Sequence, residues 1–197
     1  MQLVFATGNP NKLSEVQKIT PKSVEIIGLD AVNITEEIPE TGKTLVANAL
    51  QKARYVFNKC NIDCFADDTG LQVMALKNEP GVYSARYAGP QKNANDNMDL
   101  LLKNLSGNMN RTAEFVTVIA LIYNGKEYLF EGKVIGEITT TNNGVNGFGY
   151  DPIFKPNGHK QTFAEMTINQ KNEISHRAKA FEKLIQFLSS SNKVEKK

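Results

Sequence analysis

The apolar positions of this chain fall in short runs whose period keeps changing. Residues 3–6, Leu3-Val4-Phe5-Ala6, form an unbroken apolar run that gives way to Thr7-Gly8-Asn9-Pro10-Asn11-Lys12, after which residues 12–19 carry helical spacing. The expected order is a buried strand, a tight polar turn and a helix, then a second short strand at residues 24–28 and a polar loop as far as Glu40. Across residues 44–58, Leu45, Ala49, Lys52, Ala53 and Val56 recur at helical steps, which predicts a helix capped by Thr41 or Thr44. Residues 62–66 predict a strand ending in Asp67-Asp68-Thr69-Gly70, and Leu71, Val73 and Ala75 alternate as a further strand.

The segment 77–91 contains Pro80, Gly81, Gly89 and Pro90 and predicts an exposed loop. A helix over residues 93–104 follows, with Met98, Leu101, Leu102 and Leu105 on its apolar side. Two long β runs, 113–123 and 128–140, are joined at Asn124-Gly125, a favoured hairpin dipeptide. Residues 142–150 form a loop rich in glycine and asparagine, which Asp151-Pro152-Ile153-Phe154 continues. Residues 175–188 predict a closing amphipathic helix with Ala178, Phe181, Leu184, Ile185 and Leu188 inward. Antiparallel pairing mixed with parallel makes the fold α/β, in one domain over residues 1–188. Residues 189–197 hold too little apolar content to pack, which predicts a disordered polar tail.

Composition narrows the function classes. A length of 197 residues suits one domain with a substantial core, and no apolar run approaches the ~20 residues of a membrane span. The polar turn at residues 8–12 interrupts any secretory pattern, so a soluble cytoplasmic protein with no membrane partner is expected. A formal net charge of +2 is too small to argue for nucleic acid. The cysteines, Cys60 and Cys64, are too few to complete a metal quartet and are expected to be reduced and structural.

The opening turn is the first candidate site. A helix N-terminus offers backbone N–H groups and a positive dipole end, and Lys12 adds a cation, so the spot suits a phosphate. Gly8 permits close approach of the backbone, Pro10 is tolerated in a first turn, and Thr7, Asn9 and Asn11 add short polar arms. The second glycine and the Lys-Ser/Thr ending of a Walker A loop are missing, and a plain connecting turn has the same outline. Asp67-Asp68 is the second signal, since carboxylates past the C-terminal edge of an open sheet are where ligands and Mg²⁺ bind. Strand alternation lets only one of the two face the phosphates. Asp68 is that residue in this reading, and Asp67 is structural.

Glu40 supplies another carboxylate before the helix that carries Asn48 and Lys52, and Mg²⁺ commonly takes one or two protein carboxylates. Late in the chain, Gly147-Phe148-Gly149-Tyr150-Asp151-Pro152 sets two aromatic rings between glycines, where an exposed ring stacks on a base and a buried one fills the core. Lys171, His176 and Arg177 offer donors around the start of the last helix. Two histidines far apart do not make a metal site, and the serines near His176 lack a nucleophile elbow.

Taken in order, Thr7-Gly8-Asn9 with Lys12, Glu40-Thr41-Gly42 with Asn48 and Lys52, and Ala66-Asp67-Asp68-Thr69-Gly70-Leu71 make a recognisable series. It continues with Pro80-Gly81-Val82-Tyr83-Ser84-Ala85-Arg86-Tyr87, Gly147-Phe148-Gly149-Tyr150-Asp151-Pro152 and Ser175-His176-Arg177. The chain resembles the inosine triphosphate pyrophosphatase family, which hydrolyses dITP, ITP and XTP to the monophosphate and pyrophosphate. The resemblance implies a long mixed sheet flanked by helices, two lobes with the nucleotide in a central cleft, a homodimer, and Mg²⁺ as cofactor. It implies phosphate contacts at Thr7, Gly8, Asn9, Pro10, Asn11, Lys12 and Lys52, and metal ligands at Glu40 and Asp68, with Asp68 also acting on water and with Lys12 and Lys52 in the catalytic set. It implies nucleotide contacts at Thr69, Phe148, Gly149, Tyr150, Asp151, Lys171, His176 and Arg177. Two other classes stay open: a general nucleotide phosphohydrolase that releases orthophosphate, and a regulatory module that binds nucleotide without turnover.

Overall fold

The computed structural model describes residues 1–194, and three residues of the expected tail, 195–197, lie outside the described residues. The order is β1 (Gln2–Phe5), α1 (Pro10–Ile19), β2 (Glu25–Ile27), α2 (Leu45–Cys60), β3 (Cys64–Val73), β4 (Glu79–Gly81) and α3 (Ala94–Asn104), then β5 (Thr112–Tyr123), β6 (Lys126–Ile138), β7 (Phe154–Pro156), α4 (Ile168–Ile174) and α5 (His176–Val194). The strands form a seven-stranded sheet in the order β2-β1-β3-β5-β6-β7, with β4 paired to β3. β1 runs parallel to both β2 and β3, whereas β4 on β3 and β7 on β6 are antiparallel. The fold is therefore a mixed α/β sheet flanked by helices.

The backbone falls into two units. One comprises Met1–Asp68, Thr117–Gly132 and the last helix from His176, and the other Thr69–Val116 and Lys133–Ser175. Each unit has its own core. In the first, Leu3, Phe5, Phe65, Ile119, Leu121, Phe181 and Leu184 pack together, with Phe5 and Phe65 stacked at 4.4 Å between centroids. In the second, Leu71, Leu101, Phe115, Phe154 and Phe163 do the same, and the rings of Phe115 and Phe154 meet edge-on at 4.7 Å.

Local chemistry explains the boundaries. Pro10 opens α1 at the position where a missing N–H costs nothing, and the Asn9 side chain caps it. Of the two threonines offered as the cap of α2, Thr44 is used, its hydroxyl accepting from the Ala47 N–H at 3.1 Å. The buried stripe of α2 is Leu45, Asn48, Ala49, Lys52, Ala53 and Val56. Two polar side chains thus stand in an apolar stripe. The β5–β6 turn falls at Asn124-Gly125, both with positive φ, as this hairpin requires.

Four expectations are corrected. β3 does not end at Asp67 but runs unbroken through Asp67-Asp68-Thr69-Gly70 to Val73. Its partner β1 stops at the Phe5↔Phe65 pair, and beyond that pair β3 stays extended, with β4 paired to it at residues 71–73. The segment 77–91 is not simply an exposed loop: β4 crosses it, and Pro80 and Ser84 are buried. β7 and α4 are additional elements, and α4 opens on a capping box of Thr167 and Gln170. Finally, α5 continues past residue 188 to Val194, and the hydroxyls of Ser189, Ser190 and Ser191 bond back to carbonyls of Ile185 and Phe187 rather than leaving the helix.

Candidate active site

In the first unit the opening turn is built as a cap rather than as a set of open donors. Asn9 Oδ1 accepts the Asn11 and Lys12 N–H groups at 2.9 and 3.3 Å, and the Leu13 N–H goes to the Asn9 carbonyl. Pro10 has none. The backbone donors expected at residues 10–13 are therefore engaged within the turn, because asparagine is among the best N-caps. Thr7 Oγ1 accepts from the Asn9 N–H at 3.2 Å, and a Cβ on Gly8 would meet nothing within 4 Å.

Beneath the turn lies a line of buried charges. Lys12 Nζ donates to Asp67 Oδ1 at 2.9 Å, Arg177 Nε to Asp67 Oδ2 at 3.0 Å, and an Arg177 terminal nitrogen to Glu15 Oε2 at 2.5 Å. Two cations and two anions alternate. Burial pushes the Asp67 carboxyl up, but Lys12 and Arg177 more than reverse that and hold it below the ordinary range. Burial lowers the Lys12 ammonium, with Asp67 only partly compensating.

Asp68 occupies a different environment, as strand alternation requires. Asn48 Nδ2 donates to Asp68 Oδ2 at 2.9 Å, while Asn48 Oδ1 takes the Gly42 N–H at 2.7 Å. The amide is thereby locked in one orientation. A Cβ on Gly42 would stand 2.7 Å from that oxygen, so glycine is needed at this position. Burial raises the Asp68 carboxyl; Lys52, Lys12 and the Asn48 bond pull it down, and Glu40 pushes it further up. Glu40 and Asp68 are thus close enough to feel each other, and Lys52 is bonded to Glu40. Among the described residues no cluster of three or more His, Cys, Asp or Glu is arranged around a metal position. A pair of hard oxygen donors fits Mg²⁺, which completes its shell with water and phosphate.

In the second unit, Lys171 on α4 is buried and its Nζ lies 2.6 Å from Asp151 Oδ2. The same carboxylate oxygen accepts the Phe148 N–H at 2.8 Å. The Lys171 ammonium stands 4.8 Å from the Phe148 ring centre and 5.4 Å from that of Phe163. Gly147 has φ +74°, and a Cβ there would come within 2.1 Å of Asp151 Oδ2, so this turn also depends on a glycine.

The remaining expected contacts divide. Phe148 and Gly149 are half-buried and face solvent in part, as is Thr69 on β3. Tyr150 is different. Its ring is in the core and its hydroxyl donates to the Ser84 carbonyl at 2.8 Å, so of the two aromatic rings only Phe148 is open to a base. The side chains of Asp151 and Arg177 bond protein groups. His176 begins α5 and is buried, its carbonyl lying where a Cβ on Gly132 would be. Glu15 was not a candidate from sequence. Its signal is its place three residues after Lys12 and next to Val16 on the buried side of α1.

The model of the Ham1 family matches residues 3–187. A protein of Flavobacterium johnsoniae named dITP/XTP pyrophosphatase is 56% identical over 97% of this chain and 100% of its own. The structure of the Staphylococcus aureus Ham1 protein superposes with a TM-score of 0.87 at 38% identity, covering 97% of this chain and 100% of that one. A HAM1 protein from Coxiella burnetii gives 0.87 at 37% identity over 96% and 99%.

Proposed function

Because the chain belongs to the Ham1 family, we propose that it hydrolyses non-standard purine nucleoside triphosphates, dITP, ITP and XTP, to the monophosphate and pyrophosphate, and so clears them from the cytoplasmic nucleotide pool. The observation that carries this reading is the pair of unlike aspartates on β3. Asp67 is tied to Lys12 and Arg177, and Asp68 is buried beside Asn48 within reach of Glu40, Lys12 and Lys52. The dITP/XTP name of a relative matched over its whole length supports the substrate class.

Water attacks the α-phosphorus in line; its oxygen bonds to phosphorus as the α–β bridging bond breaks, and pyrophosphate leaves with the bonding electrons. Asp68 takes the proton. Lys12 and Lys52 meet the negative charge that grows on the leaving pyrophosphate. Glu40 and Asp68 would hold magnesium, which when bound neutralises phosphate oxygens and lowers the pKa of water.

In this reading Phe148 stacks on the base and Lys171 faces the six-position oxygen of hypoxanthine or xanthine. Adenine presents an amino donor there and leaves that donor unpaired, a penalty that reaches ~10⁴ in sites of this kind. The homodimer implied by the family resemblance is part of the reading, and light scattering tests it. The central test is a comparison of kcat/KM for dITP, XTP, GTP and ATP with product analysis. Pyrophosphate release with a strong preference for dITP and XTP is expected. Comparable rates on all four, or orthophosphate release, would remove the reading.

A further inference from the structure

Asn48 stands where an apolar residue would serve the fold better. It lies on the buried stripe of α2 with Leu45 and Ala49 and is wholly buried, yet asparagine is a weak helix former whose amide must be satisfied once it leaves water. Both ends of that amide are used, in opposite senses. Nδ2 donates to Asp68 Oδ2 on β3 at 2.9 Å, and Oδ1 accepts the Gly42 N–H at 2.7 Å. Turned over, the amide would set its oxygen against a carboxylate and its NH₂ against an N–H, so a single orientation suits both neighbours.

The segment that ends at Gly42 needs such holds. Residues 37–42 belong to no helix or strand, and α2 fixes them with three side chains. Lys52 is bonded to the Glu40 carboxylate, and Gln51 accepts the Thr41 N–H at 3.0 Å while donating to the Thr41 hydroxyl at 3.1 Å. Positions 48, 51 and 52 share a helix face and hold residues 42, 41 and 40 in turn. Asn48 differs from the other two in that its second bond goes to β3. All of these residues belong to the first unit. The two acids that would share a cation thus come from separate pieces of backbone, one of them irregular, and magnesium tolerates little error in the placing of its ligands.

We propose that Asn48 is a positioning residue: its two-ended amide couples the segment 40–42 to Asp68 and so holds the carboxylates of Glu40 and Asp68 in register for one cation and for the water that Asp68 deprotonates. This rests on the pyrophosphatase reading above.

The test compares the wild type with Asn48→Ala, which removes both bonds, and with Gln51→Ala, which loosens the same segment but breaks no bond to β3. Calorimetric titration reads the Mn²⁺ affinity of the substrate-free proteins, and pyrophosphate release from dITP gives kcat and KM. In Asn48→Ala the Mn²⁺ dissociation constant is expected to rise about tenfold and kcat to fall about thirtyfold or more, with KM changed by less than about threefold. Gln51→Ala should stay within about threefold of the wild type in each measure. Equal losses in the two variants, a loss confined to KM, or an unchanged Mn²⁺ affinity in Asn48→Ala would reduce Asn48 to a support of the segment and overturn the proposal. The wild type supplies an arm that needs no variant to fold. In isotope-labelled protein the NMR signals of the Asn48 side-chain amide and the Gly42 N–H are expected to shift together, with one midpoint, as Mg²⁺ is titrated in. Signals that stay still, or that move with different midpoints, overturn the coupling. A wild type that shows the joint Mg²⁺ response but hydrolyses neither dITP nor XTP would instead remove the pyrophosphatase reading, so the two failures are told apart.

Discussion

Lys12 Nζ and Asp67 Oδ1 are 2.9 Å apart, in an ion pair whose carboxylate is fully buried and shared with Arg177. The pair joins the first turn of α1 to the middle of β3, so the position of the Lys12 ammonium is set by a buried carboxylate on another element. Asp67→Asn puts an amide donor where two cations need acceptors. Breaking a buried pair in this way costs roughly 3–5 kcal/mol, which lowers the melting temperature by on the order of 10 °C in a chain of this size. The folded carboxyl lies below its ordinary value, so its contribution is complete above the unfolded pKa of about 4 and is lost as the pH falls through the folded one. The gap between wild type and variant is therefore expected to be widest near neutral pH and to narrow in acid. Thermal melts across pH check this, and a constant gap would contradict it.

Asp68 should behave in the opposite sense. Burial holds its carboxyl above the ordinary value, so folding favours the protonated form and that stabilisation is lost as the pH rises through the folded pKa. At neutral pH the ionised side chain is a cost. Asp68→Asn keeps an acceptor for Asn48 and removes the charge. In metal-free protein at pH 7 it is expected to raise stability, with the gain vanishing below about pH 4. Turnover should fall by ~100-fold or more. A variant that is both less stable and still active would show that Asp68 serves the fold and not the reaction.

The contrast between these two aspartates was legible in the sequence, because a strand turns neighbouring side chains to opposite faces wherever it stays extended. The turn before α1 and the Thr44 cap were legible for a similar reason: they are decided by residues a few positions apart. Contacts between distant positions were not. Arg177 and Glu15 are 162 residues apart, and nothing local marks either as the other's partner. Tyr150 and Phe148 look alike in their glycine-rich surroundings, and only the packed core separates the buried ring from the half-exposed one. The continuity of β3 through four residues that read as a bend depends on the strands beside it, which local propensity does not see.

Glu40 is bonded to Lys52 and raises the carboxyl of Asp68, so the two acids feel each other's charge, and in the proposed function they hold the cation together. Glu40→Gln retains the size and the hydrogen bonding but halves the negative charge offered to the cation. The Mg²⁺ concentration for half-maximal activity is expected to rise by about tenfold or more, with pyrophosphate release at saturating metal reduced far less. A titration of activity against Mg²⁺ checks this. An unchanged midpoint would remove Glu40 from the metal, and full turnover in excess chelator would remove the metal from the reaction.

Gly132 on β6 lies so close to the first turn of α5 that a Cβ there would be 2.1 Å from the His176 carbonyl oxygen and 2.5 Å from the Ala180 nitrogen. Both are backbone atoms, so relief requires the helix to move, and that turn carries Arg177 to Asp67 and Glu15. Gly132→Ala is therefore expected to cost about 1–3 kcal/mol of stability and to lower kcat/KM by roughly tenfold, since the displaced guanidinium no longer fixes Asp67 and, through it, Lys12. Gly125→Ala is the control. It has open space around it but φ +72°, so it loses stability through backbone strain of about 1–2 kcal/mol. Because it lies in the β5–β6 hairpin, it should leave kcat/KM unchanged. Melting curves and kinetics of the two variants side by side separate loss of stability from loss of alignment, and an equal fall in kcat/KM for both would mean that the α5 contact positions nothing.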